Sequence, residues 1–289
     1  MGEEFEDRFI QVDGVRTRYW QAGAAGTPVL LLAGIGCSVL EWSRNIAALA
    51  SRHRVYAIDM LGGGLTGKPQ DRAYSIPELA RFTLAFMPAV GEERAHLIGN
   101  SLGGRIALEC ARLAPERVLS MVLAAPAGVG RQTHINMRLA TVPFLGELLT
   151  RPSRMGLKML WRDAFFDRSF VTAELVETKY ALASAPGAQK AFLKTLRGFL
   201  SPGGFPRDQL EALHAAMRDM KMPALVIWGR QDKFLPPVQA DILKAHLPDC
   251  EVRLFANCGH APQVEHAGAF NSTVLAFLDK ASHTGNPVK

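Results

Sequence analysis

The sequence lacks the features that define several classes of protein. Its four cysteines are spread along the chain without the spacing of a metal site or a disulfide framework, a usage typical of reduced thiols in the cytoplasm. No apolar segment approaches the length needed to span a bilayer. The acidic start of the chain also lacks the apolar stretch of a secretory signal. We therefore expect a cytoplasmic protein with no metal and no membrane partner.

Basic charge is present but is not concentrated. The formal net charge is +6, yet no run of five or more Lys or Arg occurs in the 289 residues. Scattered basic residues do not form the stripe that binds nucleic acid, so we expect no nucleic-acid partner. The expected partner is a small-molecule substrate, and a homodimer is left open.

Short apolar runs alternate with helical patterns after an N-terminal hairpin. Asp13-Gly14 separates two β-rich runs and is a strong turn signal. Near-continuous apolar strands separated by helices indicate a mostly parallel sheet covered by helices on both faces, an α/β fold. The apolar strands are predicted at 29–32, 55–58, 95–98, 119–123, 224–228 and 251–255.

One interval interrupts this alternation. From about Gly128 to Phe205 no strand is evident, and Gly and Pro separate helical stretches predicted at 133–141, 153–166, 172–184 and 189–200. We predict an inserted helical cap over residues 128–206, between a first core part at 1–127 and a second core part at 207–289. Such an insertion lies over the carboxyl edge of the sheet, where it can act as a lid.

Gly99-Asn100-Ser101-Leu102-Gly103 places a lone serine between glycines where a strand turns into a helix. A serine on so sharp a turn is held in a strained conformation, with its hydroxyl exposed above the amino end of the helix. The pattern predicts Ser101 as a nucleophile.

A serine hydroxyl needs a base, and the base needs an orienting group. His260 follows the last predicted strand and Asp232 follows the strand before it. We predict His260 as the base and Asp232 as its partner, because catalytic loops collect at the carboxyl ends of parallel strands. Asp59, at another strand end, is a rival acid that we expect instead to orient the glycine turn at 62–64.

The negative charge of a tetrahedral intermediate requires backbone donors. One is predicted to be the amide of Leu102, directly after the nucleophile. The other is predicted in the Ala33–Gly36 loop after the first parallel strand, at the amide of Ile35. Asn100, beside the nucleophile, is expected to shape the substrate pocket.

The stretch from Gly62 to Pro69 formally contains two nucleotide-binding patterns. Pro69 replaces the hydroxyl residue that a phosphate loop needs for magnesium, and residues 68–71 are typical of a loop rather than the helix of a dinucleotide site. We therefore expect no cofactor.

The order Ser101, Asp232, His260, together with Gly34-Ile35-Gly36 and the Gly99 to Gly104 turn, resembles the α/β-hydrolase superfamily from end to end. The Gly99 to Gly104 turn and the tail around Gly259-His260 are similar to the meta-cleavage-product hydrolases, which cleave carbon–carbon bonds. The resemblance implies substrate-binding roles for five residues, namely Gly34, Gly36, Asn100, Lys179 and Ala261.

This chain departs from that family at three of its positions. Ala33 stands where many members have His, and Ala261 stands where the carbon–carbon hydrolases often have Trp. Lys179 falls near the cap arginine that grips the substrate's carboxylate, and lysine lacks the bidentate fork of arginine.

These departures favour ester hydrolysis of a small or medium hydrophobic substrate through an acyl-enzyme. Carbon–carbon bond hydrolysis of a meta-cleavage-type diketo acid is the alternative. A non-enzymatic small-molecule receptor on the same fold is a third hypothesis.

Overall fold

The computed structural model describes residues 5–284. A single sheet contains eight strands: β1 (Arg8–Val12), β2 (Val15–Ala22), β3 (Pro28–Leu32), β4 (Arg54–Ile58), β5 (Ala95–Asn100), β6 (Val118–Ala124), β7 (Ala224–Gly229) and β8 (Cys250–Phe255). Their order across the sheet is β1-β2-β4-β3-β5-β6-β7-β8. Strands β1, β2 and β4 pair antiparallel, and all pairs from β4 to β8 are parallel.

The helices of the described chain are α1 (Ile46–Ala50), α2 (Ile76–Ala89), α3 (Leu102–Leu113), α4 (Ile135–Leu139), α5 (Leu145–Leu149), α6 (Arg154–Ala164), α7 (Ala173–Ser184), α8 (Ala188–Phe199), α9 (Arg207–Arg218), α10 (Gln239–His246), α11 (Pro262–Glu265) and α12 (Ala267–Thr284). Short 3-10 helices occur at Val39–Trp42, Pro115–Arg117 and Arg168–Phe170. No helix within residues 5–284 is long and apolar enough to cross a membrane.

The predicted hairpin and parallel sheet are confirmed. Val12 pairs with Val15 across the Asp13-Gly14 turn, and both turn residues have positive φ, as a tight hairpin requires. Strands β3 and β5 are buried along their whole length, because helices cover both faces of the sheet. The α/β fold class is therefore as expected.

The core consists of two apolar layers, one on each face of the sheet. Trp42, Phe270 and Val274 pack with one set of strand side chains, and α1 and α12 cover that face. Ile106, Phe86 and Met217 belong to the opposite layer, below α2, α3 and α9. Alternate residues of each strand supply both layers, since successive side chains point to opposite faces.

Two local expectations differ from the structure. Strand β8 lies at the edge of the sheet, so its side chains are half-buried or exposed rather than buried on both faces. Residues 128–206, here called the helical segment, contain α4 to α8, and the short helix α5 has no counterpart in the predicted stretches. The strand pairing observed in this segment is one isolated bridge, Ser201 with Gly204. The boundaries of a separate cap stay a prediction.

The order of the strands creates a crevice at one edge of the sheet. The chain runs from β3 outward to β4 and then returns to place β5 on the other side of β3. Loops after β3 and β5 therefore diverge at the carboxyl edge, where open α/β sheets bind their ligands. Ser101 stands directly after β5, and Ile35 lies in the loop that follows β3.

Candidate active site

Ser101 occupies the turn between β5 and α3 in a strained conformation. Its φ is 54° and its ψ is −115°, a region that non-glycine residues rarely adopt. Its amide donates to Ala124 O at 2.9 Å, and its carbonyl accepts from Ala127 N at 2.9 Å. The turn is thus tied to the end of β6, which holds the strained residue in place.

Close packing around this turn explains its glycines. A Cβ on Gly99 would collide with the backbone of Gly103, and a Cβ on Gly103 would collide with the carbonyl of Leu32. Helix α3 can therefore approach β3 and β5 closely enough to set Ser101 at its amino end. The sequence pattern around Ser101 is required by this backbone contact.

His260 and Asp232 form the second part of the site. Nδ1 of His260 lies 2.8 Å from Oδ2 of Asp232, whose side chain is fully buried. Asp232 also accepts hydrogen bonds from the indole N–H of Trp228 and from the amides of Phe234 and Leu235, at 2.8 to 3.0 Å. These donors fix the carboxylate, so the carboxylate can fix the imidazole.

The loop that carries His260 is anchored on two sides. The His260 amide donates to Ala164 O at 2.7 Å, and its carbonyl accepts from Asn100 Nδ2 at 3.1 Å. The ring stacks on Phe234, with ring centroids 5.3 Å apart. Ser101, His260 and Asn100 line one cavity. Within residues 5–284, no hydrogen bond joins Ser101 Oγ to His260. Such bonds often form only in the substrate complex.

The two predicted oxyanion donors also line this cavity. Leu102 is the first residue of α3, so its amide has no acceptor one turn earlier in the helix. Ile35 lies in a turn closed by a 3.1 Å hydrogen bond from Cys37 N to Gly34 O. A Cβ on Gly34 would lie 3.4 Å from Ser101 Cβ, which shows how closely this turn approaches the serine.

The five predicted substrate-binding residues are not all at the cavity. Gly34, Asn100 and Ala261 line it, whereas Gly36 lines an adjoining cavity and faces Phe192. Both amide protons of Asn100 are engaged by backbone carbonyls, so this side chain joins β6 to the histidine loop.

Lys179 lies behind the wall of the cavity rather than in it. It is 3% exposed, contrary to the ordinary expectation of a solvated helix residue. Its ammonium group forms an ion pair with Glu41 and lies 4.3 Å from the ring centroid of Trp161. Burial lowers the pKa of Lys179, and the nearby Cys37 thiol acts in the opposite direction.

Asp59 has no contact with His260 in the described chain and has a structural role. Its carboxylate accepts from the amides of Val39 and Leu65, each at 2.7 Å. It therefore holds the loop after β3 against the glycine-rich turn, as expected from the sequence. Burial raises the pKa of this carboxyl. The hydrogen bonds from Leu65 and Val39 and the charge of Arg18 oppose that rise.

Sequence reasoning assigned no role to three polar residues at the site. Glu265 accepts from the amides of Gly259 (2.7 Å) and Phe166 (2.6 Å) and so joins the histidine loop to the helical segment. Glu41 and Gln263 line the cavity itself. The Ser38-x-x-Glu41 spacing of a capping box is a signal for Glu41 as a structural residue. Gln263 and Glu265 stand in the tail whose resemblance to the meta-cleavage-product hydrolases is the signal for both.

Several known proteins are similar to this chain in sequence. A sequence model described as alpha/beta hydrolase fold matches residues 27–267. The 2-hydroxymuconate semialdehyde hydrolase of Pseudomonas sp. (strain CF600) is 34% identical over 95% of this chain and 94% of that protein. A 2-hydroxy-6-oxononadienedioate/2-hydroxy-6-oxononatrienedioate hydrolase of Comamonas testosteroni is 36% identical over 88% of each chain.

A solved hydrolase structure is also similar to this chain. The meta-cleavage product hydrolase from Pseudomonas fluorescens IP01 is 29% identical, covers 95% of this chain and 98% of its own, and superposes with a TM-score of 0.81. The names of these proteins support the carbon–carbon alternative better than the ester hydrolysis that the departures from the family pattern favour.

Proposed function

Because the chain belongs to the alpha/beta hydrolase fold family, we propose that it is a serine hydrolase that cleaves a carbon–carbon bond in a meta-cleavage-type diketo compound. The observation that carries this proposal is the strained Ser101 in one cavity with a His260 that is held by a buried Asp232. The relatives named above support the choice of bond.

The geometry suits the proton transfers of such a reaction. The hydrogen bond to Asp232 keeps a proton on Nδ1 of His260, so Nε2 is left to accept the proton of Ser101. Ser101 Oγ adds to a ketone or aldehyde carbonyl, and the amides of Ile35 and Leu102 hold the resulting oxyanion.

Collapse of this intermediate breaks the carbon–carbon bond. The electron pair goes to the departing carbon, where conjugation with the second carbonyl spreads the charge, and His260 returns the proton to that fragment. Water then attacks the acyl-enzyme with the same base, so the net reaction adds one water across the bond. No step needs a redox partner.

The helical segment is proposed to act as the cap of this site. Trp161, Phe192 and Phe199 supply apolar wall to the cavity that Ser101 also lines. The bonds from His260 N to Ala164 O and from Phe166 N to Glu265 tie its α6 end to the histidine loop. An apolar cover excludes water from the oxyanion and strengthens its hydrogen bonds.

The test is spectroscopic. The purified protein is mixed with 2-hydroxymuconate semialdehyde and, separately, with p-nitrophenyl esters of matched size, and kcat/KM is measured for each. We expect loss of the ring-fission chromophore with multiple turnovers and no loss with Ser101→Ala. Ester turnover without chromophore loss contradicts the proposed bond, and one equivalent of product without turnover supports the receptor hypothesis.

Ester hydrolysis is retained as a second candidate because of one observation. Within residues 5–284, no Lys or Arg lines the cavity, and Lys179 is already paired with Glu41. A carboxylate at that wall has no free cation to bind, whereas an uncharged ester needs none. The same assay distinguishes the two reactions.

A further inference from the structure

Four of the most exposed apolar side chains lie on two successive helices of the helical segment. Phe144 is 89% exposed, Leu148 69%, Met155 68% and Met159 62%. Among the other large apolar residues of the described chain, Val238 alone is as exposed as Met159. Single exposed apolar residues are ordinary, but a concentration of them marks an interaction surface.

The sequence of each helix turns these side chains outward. On α5, Gly146 faces the protein, because a Cβ there would collide with the carbonyl at the end of α4. Phe144 and Leu148 stand two residues to either side of Gly146 and so lie on the opposite side of the helix. On α6, Met155 and Met159 are one turn apart and share an exposed face.

Helix α6 also connects this surface to the candidate active site. Leu160, Trp161 and Ala164 line the cavity that Ser101 also lines. Because an α-helix has about 3.6 residues per turn, these residues and the two methionines lie on opposite sides of α6. The cavity explains the inward residues, whereas nothing within residues 5–284 covers the methionines.

The charge around these side chains is basic. Residues 135–166 contain five Lys or Arg and two Asp or Glu. Both acidic side chains already have basic partners, since Glu147 lies 2.8 Å from Arg197 and Asp163 lies 4.0 Å from Lys233. Their charges therefore do not neutralise the remaining basic residues of the stretch.

Three of those basic residues stand beside the apolar side chains. Arg151 lies in the link between α5 and α6, while Lys158 and Arg162 follow Met155 by one and two turns. All three are exposed, and in the described part of the chain none of them makes a hydrogen bond or an ion pair. They offer free positive charge to whatever covers the apolar side chains.

We propose that an outer face of the helical segment docks on the surface of an anionic phospholipid bilayer. The outer face consists of Phe144, Leu148, Arg151, Met155, Lys158, Met159 and Arg162. Its apolar side chains enter the boundary between headgroups and acyl chains, and its basic side chains reach the lipid phosphates. Such a contact needs no spanning helix, so it revises the expectation of no membrane partner, which considered spanning segments alone. It does not depend on which bond the active site cleaves.

A second copy of the chain fits the outer face less well than a bilayer does. A two-fold dimer would place each outer face against its equivalent. Free Lys and Arg side chains of both copies would then meet across the contact without an acidic partner, and like charges brought together are costly. A bilayer supplies an apolar layer and negative charge together.

Vesicle cosedimentation tests the docking. The full chain is mixed with vesicles of phosphatidylcholine alone or of phosphatidylcholine with phosphatidylglycerol, at low and at high salt. At low salt, partition into the anionic vesicles should exceed partition into the neutral ones by roughly tenfold or more, since each basic residue at an anionic surface contributes about fivefold. High salt should remove most of that excess. Equal partition into both vesicles, or none into either, would overturn the proposal.

A double variant tests the apolar part of the outer face. Met155→Gln, Met159→Gln keeps the side-chain length at two exposed positions, so the fold, verified by circular dichroism, should be retained. Partition into the anionic vesicles should fall by about tenfold or more, because the apolar transfer is lost. Val238→Gln, at an equally exposed position outside the helical segment, is the control and should partition like the unmodified protein. Unchanged partition of the double variant would overturn the docking face.

A second pair of variants tests the charges at constant net charge. Lys158→Gln, Arg162→Gln removes two charges from the outer face, and Lys221→Gln, Lys244→Gln removes two from exposed positions of the sheet core. The first should lower partition by about tenfold or more and the second by much less. Equal losses would show a general attraction of a basic protein and would overturn the proposal.

Sedimentation without lipid examines the other occupant. The unmodified protein and Met155→Gln, Met159→Gln should sediment alike, because the proposal leaves the outer face uncovered in the absence of a bilayer. A dimer that dissociates in the double variant would show that a second copy covers this face, and would overturn the proposal.

Discussion

The sheet core and the helical segment differ in how far they bury their large apolar side chains. In the described chain, nine of the fourteen exposed large hydrophobic residues lie between Ile135 and Phe166, although the core contains most of the residues. Phe144 has a positive φ of 65° and is 89% exposed. The core is packed from both faces of a sheet, whereas short helices such as α5 have too little surface to bury their apolar side chains.

The two regions also contribute different residues to the candidate active site. The core supplies Ser101, Asp232 and His260 from strand ends that are fixed by backbone hydrogen bonds. The helical segment supplies apolar wall and one buried cation, Lys179, and its Ala164 carbonyl accepts from the His260 amide. On the proposed function, reaction chemistry depends on residues of the core, and we expect selectivity to depend on the contact between the two regions.

The largest effect is expected when the core loses its proposed nucleophile. Ser101→Ala should lower kcat by about 10⁴-fold or more, since the triad acts as a unit. Ser272→Ala, an exposed serine of α12, is the matched control and should leave kcat unchanged. Both are measured by steady-state kinetics, with circular dichroism to verify the fold. A Ser101→Ala variant near wild-type activity would mean that another group is the nucleophile.

One leucine in each region measures the difference in packing. Leu31 in β3 is completely buried, so Leu31→Ala should lower the free energy of unfolding by about 2–5 kcal/mol. Urea denaturation followed by fluorescence gives this value. A cost below 1 kcal/mol would show that the core is less tightly packed than its burial indicates.

Acid should destabilise the core through His96 in β5. Burial is the main reason that the pKa of His96 falls to about 3 from its ordinary 6.5. As pH falls below 6.5, the unfolded chain binds a proton at this imidazole and the folded chain does not. The stability that the neutral His96 contributes is therefore present above that pH and is lost below it. From pH 6.5 to 5 the expected loss is about 2 kcal/mol.

Urea denaturation at several pH values measures this loss, and His96→Gln is the variant that should remove most of the pH dependence. The imidazole lies 2.7 Å from Ser120 Oγ, a contact that the amide can replace. An identical slope in the variant would assign the acid sensitivity to other groups, of which His53, with its own lowered pKa, is the neighbour to examine.

The smallest effect is expected in the helical segment. Leu148 in α5 is 69% exposed, so Leu148→Ala should change the free energy of unfolding by no more than about 0.5 kcal/mol. The same urea experiment compares it directly with Leu31→Ala. A loss above 1 kcal/mol would indicate that this side chain is covered in solution, and sedimentation would then show whether a second copy covers it.

Sequence by itself determined the hairpin, the parallel sheet and the position of Ser101, Asp232 and His260 in loops at its carboxyl edge. These features have local causes: Asp13-Gly14 selects a tight turn, apolar runs select buried strands, and the glycines around Ser101 are needed for close backbone contact. The order of strands then determines which loops can meet.

Only the tertiary structure decided that Glu41 and Gln263 line the same cavity. Glu41 and Gln263 are far apart in the chain, and each has an ordinary local environment, a 3-10 helix and a short helical turn. Pairing of Lys179 with Glu41 also depends on how α7 packs over the core, which no local pattern specifies. Side-chain contacts between distant elements are set by packing of the whole fold, and for that reason the charge of this wall was decided by the fold rather than by any single stretch of sequence.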